Sequence, residues 1–404
     1  MPNPFNFFAM KQYDAVVVGA GPVGGFIAGS ISKKGYDVAL LEEHHEIGRP
    51  VQCAGFVTPR VFDILGFKCG IINEVSTAKV HFPSNRTLVF DAKKPRACVI
   101  DRAVFDSKIV KNAADYGSEL RLGTKVIKVK KDGERIGVEI RQNGERKNID
   151  CTLIIGCDGI GSIVARSFNL SKPKEILSGF GAECVCKEKI DSSYVDIIIG
   201  NKIAPGFFAW MIPTDIGARV GLCASLGKKN TYQYFKNLLA QPLVKKRMGH
   251  PKIERYITGV IPLGPMKKIY TDGVMLAGDA AAQVKPLSGG GVYLGLLCGK
   301  HCADVSVKAL EKEDLSEKIL NEYPKRIQND VGKELKRAYQ LRKIYVGLKD
   351  KHLEEGYDIL NDEKILNFIA KHGDIDYPSG LTKAVLKKAP RLMKFAGPVL
   401  KSLI

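Results

Sequence analysis

The 404-residue sequence has no apolar run that approaches the roughly 20 residues a membrane-spanning helix needs. Residues 1–12 lack the basic segment, the apolar core and the cleavage site of a secretory signal. We therefore expect a cytoplasmic protein and not an integral membrane protein. The ten cysteines contain no paired C-x-x-C sets, so no metal site is predicted, and reduced thiols fit the same compartment.

Acidic residues are scarce relative to basic ones. The sequence has 43 Asp and Glu residues against 62 Lys and Arg residues, which gives a formal net charge of +19. This balance predicts anionic partners. No nucleic-acid-binding motif is recognisable, so we expect no nucleic acid and favour the anionic headgroups of a membrane. A basic surface that is simply solvated is the alternative.

The imbalance is largest in residues 378–404, which contain no acidic residue. The basic residues of this tail are Lys383, Lys387, Lys388, Arg391, Lys394 and Lys401. Apolar residues recur beside them near helical spacing, at Leu381, Val385, Leu392, Ala396, Val399 and Leu403. The pattern predicts an amphipathic segment in peripheral contact with the anionic cytoplasmic face of a membrane. A helix packed on the protein with its lysines in water would show the same pattern.

A glycine turn between two short apolar runs is the most informative feature that is present. The runs are residues 15–18 (AVVV) and 38–41 (VALL), the turn at residues 19–24 has the sequence GAGPVG, and Glu42 follows the second run. Strand, glycine turn, helix, strand and acid in this order predict a dinucleotide-binding βαβ unit.

Each part of this unit has a physical role. Gly19 permits the tight turn, Gly21 lets the backbone approach a pyrophosphate, and Gly24 lets the helix and the strand pack closely. The N-terminus of the helix presents free N–H groups to the phosphates. Glu42 would accept hydrogen bonds from the adenosine ribose.

Two further apolar runs end in acidic turns, one at Asp158-Gly159 and one at Gly278-Asp279. Each alone is also typical of an Asx turn at the end of a strand. Together with the glycine turn they resemble the three FAD fingerprints of the flavoprotein hydroxylase-like superfamily. In that superfamily the aspartate that matches Asp279 binds the ribityl chain, and the arginine that matches Arg102 reaches the cofactor.

This resemblance implies FAD as the cofactor. The residues that it assigns to FAD binding are Gly19, Gly21, Gly24, Glu42, Cys53, Ala54, Arg102, Val126, Asp158, Gly278, Asp279, Gly290, Gly291 and Val292. Gly291 precedes a helical pattern that continues to Leu310, so backbone N–H groups at the start of this helix would face the flavin or a phosphate.

Other segments resemble the geranylgeranyl reductase family, which saturates isoprenoid double bonds. These segments are residues 46–55 (EIGRPVQCAG), residues 286–291 (PLSGGG) and residues 208–213 (FAWMIP), with Gly221 after the last of them. The resemblance covers about residues 13–330. It implies that Phe208, Trp210, Pro213 and Gly221 bind an isoprenoid lipid substrate. The chain departs from the family pattern at Phe208, Ile212, Cys223 and Lys285, where tyrosine, phenylalanine, glycine and an acid are usual, so the exact lipid stays open.

The implied reaction is hydride transfer from N5 of reduced FAD to an alkene, followed by protonation. Cys53 and Tyr293 are the candidate proton donors by the loops in which they lie, and water is a third. The sequence has one dinucleotide fingerprint, so a dedicated nicotinamide domain is not predicted. NAD(P)H, a ferredoxin or a deazaflavin carrier would each serve as electron donor.

Two other functions fit the same motifs. An oxygen-using monooxygenase or halogenase shares all three fingerprints, and residues 208–213 resemble the Trp-x-Trp-x-Ile-Pro element of halogenases except that Phe208 replaces the first tryptophan. A flavin-containing lipid-binding protein without turnover is the second alternative.

The order of the motifs predicts an α/β protein whose FAD-binding domain is discontinuous and Rossmann-like. We assign residues 10–75, 99–167 and 263–330 to this domain. Residues 76–98 and 168–262, which are rich in short β runs, are predicted to form an inserted antiparallel sheet that holds the substrate. Residues 331–404 form a helical C-terminal region that ends in the basic tail.

Overall fold

The structure of the protein is a computed structural model, and it describes residues 11–225 and 230–395. The predicted tail residues Ala396, Val399, Lys401 and Leu403 therefore lie outside the described residues. None of the described helices combines the length and the apolar character that crossing a bilayer requires.

The strands are, in chain order, β1 (Gln12–Val18), β2 (Val38–Leu41), β3 (Phe56–Val57), β4 (Ile71–Val75), β5 (Thr77–His81), β6 (Thr87–Asp91), β7 (Ala97–Ile100), β8 (Glu119–Arg121), β9 (Thr124–Asp132), β10 (Arg135–Gln142), β11 (Glu145–Gly156), β12 (Glu175–Val185), β13 (Tyr194–Ile199), β14 (Phe208–Pro213), β15 (Gly217–Ser225), β16 (Lys252–Leu263), β17 (Tyr270–Thr271) and β18 (Val274–Leu276). The α-helices are α1 (Pro22–Ser32), α2 (Arg60–Leu65), α3 (Arg102–Asp115), α4 (Ile163–Ser167), α5 (Thr231–Leu239), α6 (Pro242–Met248), α7 (Val292–Glu311), α8 (Glu317–Leu320), α9 (Glu322–Ile327), α10 (Lys333–Val346), α11 (Asp350–Leu360), α12 (Glu363–His372) and α13 (Thr382–Lys388).

The first sheet contains the glycine turn. Its strand order is β17-β18-β11-β1-β2-β8. Each neighbouring pair from β18 along this order to β8 is parallel. Residues 15–18 of β1 are at most 5% exposed, and α1 packs on both α3 and α7. A parallel strand that is buried on both of its faces needs apolar side chains at every position, which explains the unbroken apolar run. The predicted βαβ unit is therefore present.

The second sheet has the order β16-β12-β15-β14-β13-β5-β6. It is antiparallel, as predicted, except that β13 and β5 pair in parallel. In this pair Tyr194 lies opposite Thr77. The sequence did not predict this parallel pair. The two strands come from distant parts of the chain, so no hairpin forces them to run in opposite directions. Of residues 76–98, β5 and β6 join this sheet, whereas β7 pairs with β3 and β4 in a small third sheet.

Residues 168–262 also contain two helices that the sequence reading missed. Asn230 caps α5 by accepting a hydrogen bond from the backbone N–H of Gln233 at 2.9 Å, and Pro242 begins α6. Phe235 and Val244 are buried against the sheet. An asparagine before an apolar pattern and a proline at the first helical position are both start signals, so the information was present in the sequence.

The helical C-terminal region is fixed to the second sheet by an ion pair whose arginine is buried. The guanidinium of Arg342 on α10 donates to Glu175 on β12 at 2.8 and 2.5 Å, and also to the backbone oxygen of Gly206 at 3.1 Å. Arg342 is 1% exposed. Helices α11 to α13 continue from this attachment and form a small core of Ile359, Ile365 and Ala389.

Candidate active site

One cavity of about 1950 Å³ runs between the first and second sheets. Every residue that the sequence assigned to FAD binding lines it: Gly19, Gly21, Gly24, Glu42, Cys53, Ala54, Arg102, Val126, Asp158, Gly278, Asp279, Gly290, Gly291 and Val292. Phe208 and Trp210 line the same cavity from the second sheet. The fold therefore brings the predicted cofactor residues and two of the predicted substrate residues to one continuous space.

The glycine turn leaves open space where a pyrophosphate would lie. A Cβ atom on Gly24 would be 1.9 Å from the backbone oxygen of Gly19, so close packing alone requires this glycine. A Cβ atom on Gly21 would have no atom within 4 Å. The open side of Gly21 is the cavity itself. Glu42 closes the turn by accepting a hydrogen bond from the backbone N–H of Ala20 at 2.9 Å.

Two carboxylates at the cavity have hydrogen-bonding capacity to spare. Asp158 accepts a hydrogen bond from the backbone N–H of Ile163 through Oδ2 at 2.7 Å, while its buried Oδ1 has no hydrogen-bond partner in the described part of the chain. Burial raises the pKa of Asp158 above its ordinary value. Asp279 lies deep inside the protein, and its side chain opens to the space of the cavity. Burial raises the pKa of Asp279 to about 6, and the charge of Arg102 opposes this shift.

These observations fit FAD. The open space at Gly21 meets the N-terminus of α1, where the backbone N–H groups and the helix dipole favour a pyrophosphate. The free oxygen of Asp158 and the carboxyl group of Asp279 would accept hydrogen bonds from hydroxyl groups of the cofactor.

The raised pKa of Asp279 predicts a pH effect on the FAD-free protein. The pKa is about 6 in the folded state against an ordinary value of 3.8, so the folded state binds more protons between these values. The free energy of unfolding should therefore fall as the pH rises from about 4 to about 6. Urea unfolding of the wild type and of Asp279→Asn across this range measures the effect, because asparagine does not titrate. The wild type should lose stability relative to the variant, and a constant difference would contradict the prediction.

Cys53 lies between Arg102 and the second sheet. The Arg102 guanidinium pairs with Asp106 through hydrogen bonds of 2.9 and 2.7 Å and also interacts with Cys53. Burial alone would lower the pKa of Arg102, but Asp106 and Cys53 hold it above its ordinary value. Sγ of Cys53 accepts a hydrogen bond from the backbone N–H of Gly55 at 3.4 Å. The side chain therefore lies where the predicted cofactor and substrate regions meet.

The predicted substrate residues divide into two groups. Phe208 and Trp210 line the cavity with their rings 6.2 Å apart, whereas Pro213 and Gly221 do not line it. Alternation along β14 directs residues 208, 210 and 212 to the cavity, so Pro213 belongs to the opposite face. Gly221 pairs with Trp210 across the strands, and a Cβ atom on it would be 2.8 Å from Cζ2 of the indole. Gly221 therefore seats Trp210 instead of contacting the cavity.

Gly221→Ala should displace the indole of Trp210 because the new methyl group would occupy its place. Trp210 is the only tryptophan, so tryptophan-selective fluorescence and the tryptophan bands of near-ultraviolet circular dichroism report this ring. We expect both spectra to change while FAD content stays at the wild-type level. Gly137→Ala is the matched control, since its Cβ would come no closer than 3.6 Å to any atom of another residue. Unchanged tryptophan spectra in Gly221→Ala would contradict the proposed seat.

Comparison with known proteins decides the family. The sequence matches the family described as FAD binding domain over residues 12–297. It is 34% identical over 381 residues, 93% of this chain and 95% of the relative, to an uncharacterized protein of Methanocaldococcus jannaschii. It is 31% identical over 390 residues, 95% of this chain and 97% of the relative, to the digeranylgeranylglycerophospholipid reductase of the same organism. The chain belongs to the digeranylgeranylglycerophospholipid reductase family.

A solved structure agrees with this assignment. The crystal structure of a geranylgeranyl bacteriochlorophyll reductase-like protein from Thermoplasma acidophilum matches with a TM-score of 0.86 and 25% identity, covering 98% of this chain and 100% of that one. The predicted fold class is confirmed, and this member of the reductase family is an FAD-dependent oxidoreductase.

Tyr293 has a different position in this reductase-family chain from the one that the sequence predicted. It does not line the cavity. Its hydroxyl group shares a hydrogen bond of 3.0 Å with that of Tyr377, and burial raises its pKa above the ordinary value. At the start of α7, Val292 faces the cavity. Adjacent residues of a helix point in different directions, so the side chain of Tyr293 points away from the cavity. We therefore do not retain Tyr293 as a proton donor.

Arg219 is a site residue that the sequence reading missed. It is 2% exposed and donates to Glu183 on β12 at 3.0 Å and to the backbone oxygens of Ala54 and Ile100 at 3.0 and 2.8 Å. It thus joins the second sheet to the loop that carries Cys53. The sequence signal for this residue is an arginine in an otherwise apolar strand, because a charged side chain is buried only when it has hydrogen-bonding or ionic partners.

Lys285 has its counter-charge from the C-terminal region. Its Nζ atom pairs with Oδ1 of Asp376 at 2.8 Å, and Oδ2 of the same aspartate accepts hydrogen bonds from Thr58 at 2.6 Å and from Arg60 at 3.1 Å. The side chain of Asp376 is 0% exposed. Where the family resemblance implied an acid in the glycine loop, this chain has a lysine beside an acid from a distant segment, so the C-terminal region is fixed to the loops at the cavity.

Proposed function

We propose that the protein saturates isoprenoid double bonds of a lipid or a prenyl diphosphate at the expense of reduced FAD. The continuity of the cavity supports this most directly, because the fingerprint residues and the aromatic wall of Phe208 and Trp210 face one space. The relative from M. jannaschii is named as a digeranylgeranylglycerophospholipid reductase. FAD, when bound and reduced, supplies a hydride from N5.

The proposed division of labour follows the two large sheets. Residues 10–75, 99–167 and 263–330 would hold FAD, and residues 76–98 and 168–262 would hold the isoprenoid chain. The glycine turn and the N-terminus of α1 would bind the pyrophosphate, while Asp158 and Asp279 would accept hydrogen bonds from hydroxyl groups. Phe208 and Trp210 would orient the alkene and exclude water, which matters because an isolated alkene is a poor hydride acceptor.

Cys53 is the residue that we propose to act beside the reacting carbon. Its side chain lines the cavity, next to Arg102 on one side and near Cys223 on the other. Cys53→Ala should keep FAD, because the backbone of the loop is unchanged, but it should lower the rate of alkene reduction by about tenfold or more. Cys223→Ala is the matched control, as it removes a second thiol from the same cavity. Equal turnover and selectivity in Cys53→Ala and the wild type would assign Cys53 to packing.

Anaerobic reduction followed by mass spectrometry tests the function. The protein is reduced with dithionite and incubated with geranylgeranyl lipids and with geranylgeranyl diphosphate. Each saturated bond should add the mass of two hydrogen atoms. Oxygen consumption in step with an aromatic substrate, without alkene saturation, would replace the proposal with a monooxygenase or halogenase. Reduced flavin that persists with every isoprenoid would favour a lipid-binding protein without turnover.

The same assay separates the electron donors. Dithionite is replaced in turn by NADH, NADPH, reduced ferredoxin and a reduced deazaflavin, and flavin bleaching is followed without substrate. The physiological class of donor should bleach the flavin at a rate that sustains alkene reduction.

A further inference from the structure

The basic tail has a second role in the structure besides carrying charge. The sequence predicted that its apolar residues lie on a membrane, but Leu381, Val385 and Leu392 line the same cavity as Trp210. Ile369 on α12 and Phe395 line it beside them. Helices α12 and α13 and the turn at Pro390–Phe395 therefore form one wall of the cavity, which we call the C-terminal wall.

Helix α13 and the turn at Pro390–Phe395 are the outermost part of the C-terminal wall, because neither contains a buried side chain. Each presents apolar residues to the cavity and basic residues to the outside. The exposed outward residues of these two elements are Lys383, Lys387, Lys388, Pro390, Arg391, Met393 and Lys394.

The charge on the outer side is largely uncompensated. Lys394 pairs with Glu355 at 2.7 Å, and Lys388 lies over the ring of Phe368. Lys383, Lys387 and Arg391, spaced four residues apart, form no ion pair with any residue in the described ranges 11–225 and 230–395. Three free cations thus lie directly outside the apolar wall of the cavity, with Met393 49% exposed among them.

We propose that the C-terminal wall is the entrance by which a lipid chain passes from an anionic lipid surface into the cavity; this rests on the proposed lipid substrate. A bilayer presents anionic headgroups and apolar chains at one surface, and the wall presents cations outside and apolar side chains inside. Nucleic acid would match the cations but not the apolar interior. The lysines hold the headgroups, and the lipid chain reaches Trp210 without crossing water, where its exposure would be unfavourable.

The wall is also held at defined points. Arg60 on α2 donates two hydrogen bonds of 2.7 Å to Asp374, and Lys285 pairs with Asp376. Both acids lie in the segment that joins the wall helices α12 and α13. These contacts fix the wall to the loops around the predicted cofactor site, so an entering chain would arrive beside them.

Photolabelling tests the entrance without depending on turnover. Vesicles of phosphatidylglycerol and phosphatidylcholine, with a diazirine in an acyl chain, are irradiated with the FAD-loaded protein, and labelled peptides are identified by mass spectrometry. Label is expected on residues 381–395 and on the strand that carries Phe208 and Trp210. Label on neither segment, with normal FAD content, would overturn the proposal.

Two variants separate surface binding from entry. Lys383→Glu/Lys387→Glu/Arg391→Glu should weaken vesicle sedimentation at least about tenfold and remove both labels. Lys128→Glu/Lys130→Glu/Arg141→Glu, which reverses three exposed charges on β9 and β10, is the matched control. Val385→Phe should keep the label on the wall but reduce it on β14, whereas Ala384→Phe, at a position that does not line the cavity, should not.

The outcomes also distinguish the entrance from the enzyme function. Equal sedimentation of the charge-reversed and control variants would overturn the role of the cations, and unchanged β14 labelling in Val385→Phe would overturn the route. Failure to reduce any isoprenoid would instead contradict the proposed function and leave the labelling result standing.

Discussion

Gly21→Val is expected to give a protein that folds as the wild type does but no longer retains FAD. Gly21 has φ of −70° and ψ of −179°, which any residue can adopt, and no atom lies within 4 Å of the position that a Cβ atom would take. Valine is therefore compatible with the FAD-free fold. Its side chain would occupy the space at the N-terminus of α1 where the pyrophosphate approaches the backbone. Each charge-assisted hydrogen bond to the pyrophosphate that is lost should raise Kd by about tenfold or more.

Gly24→Ala is the matched comparison within the same turn. Its Cβ atom would be 1.9 Å from the backbone oxygen of Gly19, so the turn itself must shift. We expect this variant to lose about 2–3 kcal/mol of unfolding free energy even without FAD. Urea unfolding of the FAD-free proteins and fluorometric FAD titration measure the two effects separately. A Gly21→Val protein that is yellow after purification, or that is less stable than Gly24→Ala, would contradict the proposed pyrophosphate position.

Arg219→Met is expected to have the largest effect on stability. The guanidinium is almost completely buried and satisfies one carboxylate and two backbone oxygens, which methionine leaves without their donor. Breaking such a buried network predicts a loss of about 3 kcal/mol or more in the free energy of unfolding. FAD should also bind more weakly, because Ala54 belongs to the loop that lines the cofactor part of the cavity.

Arg255→Met is the control for this prediction. Arg255 pairs with the same carboxylate of Glu183 at 2.5 Å, but its side chain is 32% exposed. Since Arg219 would still neutralise Glu183, we expect a loss below about 1 kcal/mol. Urea midpoints and slopes of the two variants give the comparison. Equal losses would show that the charge of Glu183, and not the link to the loop, determines the effect.

The parts of the site that the sequence could predict are those set by local backbone chemistry. The glycine turn and the acidic turn at Asp279 each follow a buried strand, and parallel strands bring their carboxyl ends to one edge. Period-two alternation would also have separated Trp210 from Pro213, since adjacent positions of a strand face opposite sides. Pro213 was expected at the substrate site as part of the whole motif, and the alternation of β14 places it on the face away from the cavity.

The rest depended on contacts between distant segments. Nothing local to Lys285 predicts that its counter-charge is Asp376, and nothing in the tail shows that Val385 faces a cavity instead of a membrane. An amphipathic helix specifies that one face is covered but not what covers it. The parallel pairing of β5 with β13 likewise joins two segments that are distant in the sequence.

The strand pairings also constrain the order in which the chain can fold. Gln12 of β1 pairs with Asp150 of β11, and Thr77 of β5 pairs with Tyr194 of β13, so each large sheet closes only after long stretches of chain have been synthesised. Closing such loops costs entropy before the contacts compensate for it, and folding dominated by distant pairings is slow. During synthesis, β1 keeps one unpaired edge until β11 is made, and β11 keeps one until β18 follows the last strand of the second sheet. The two sheets are therefore expected to mature together, and a fragment cut between them should not fold alone.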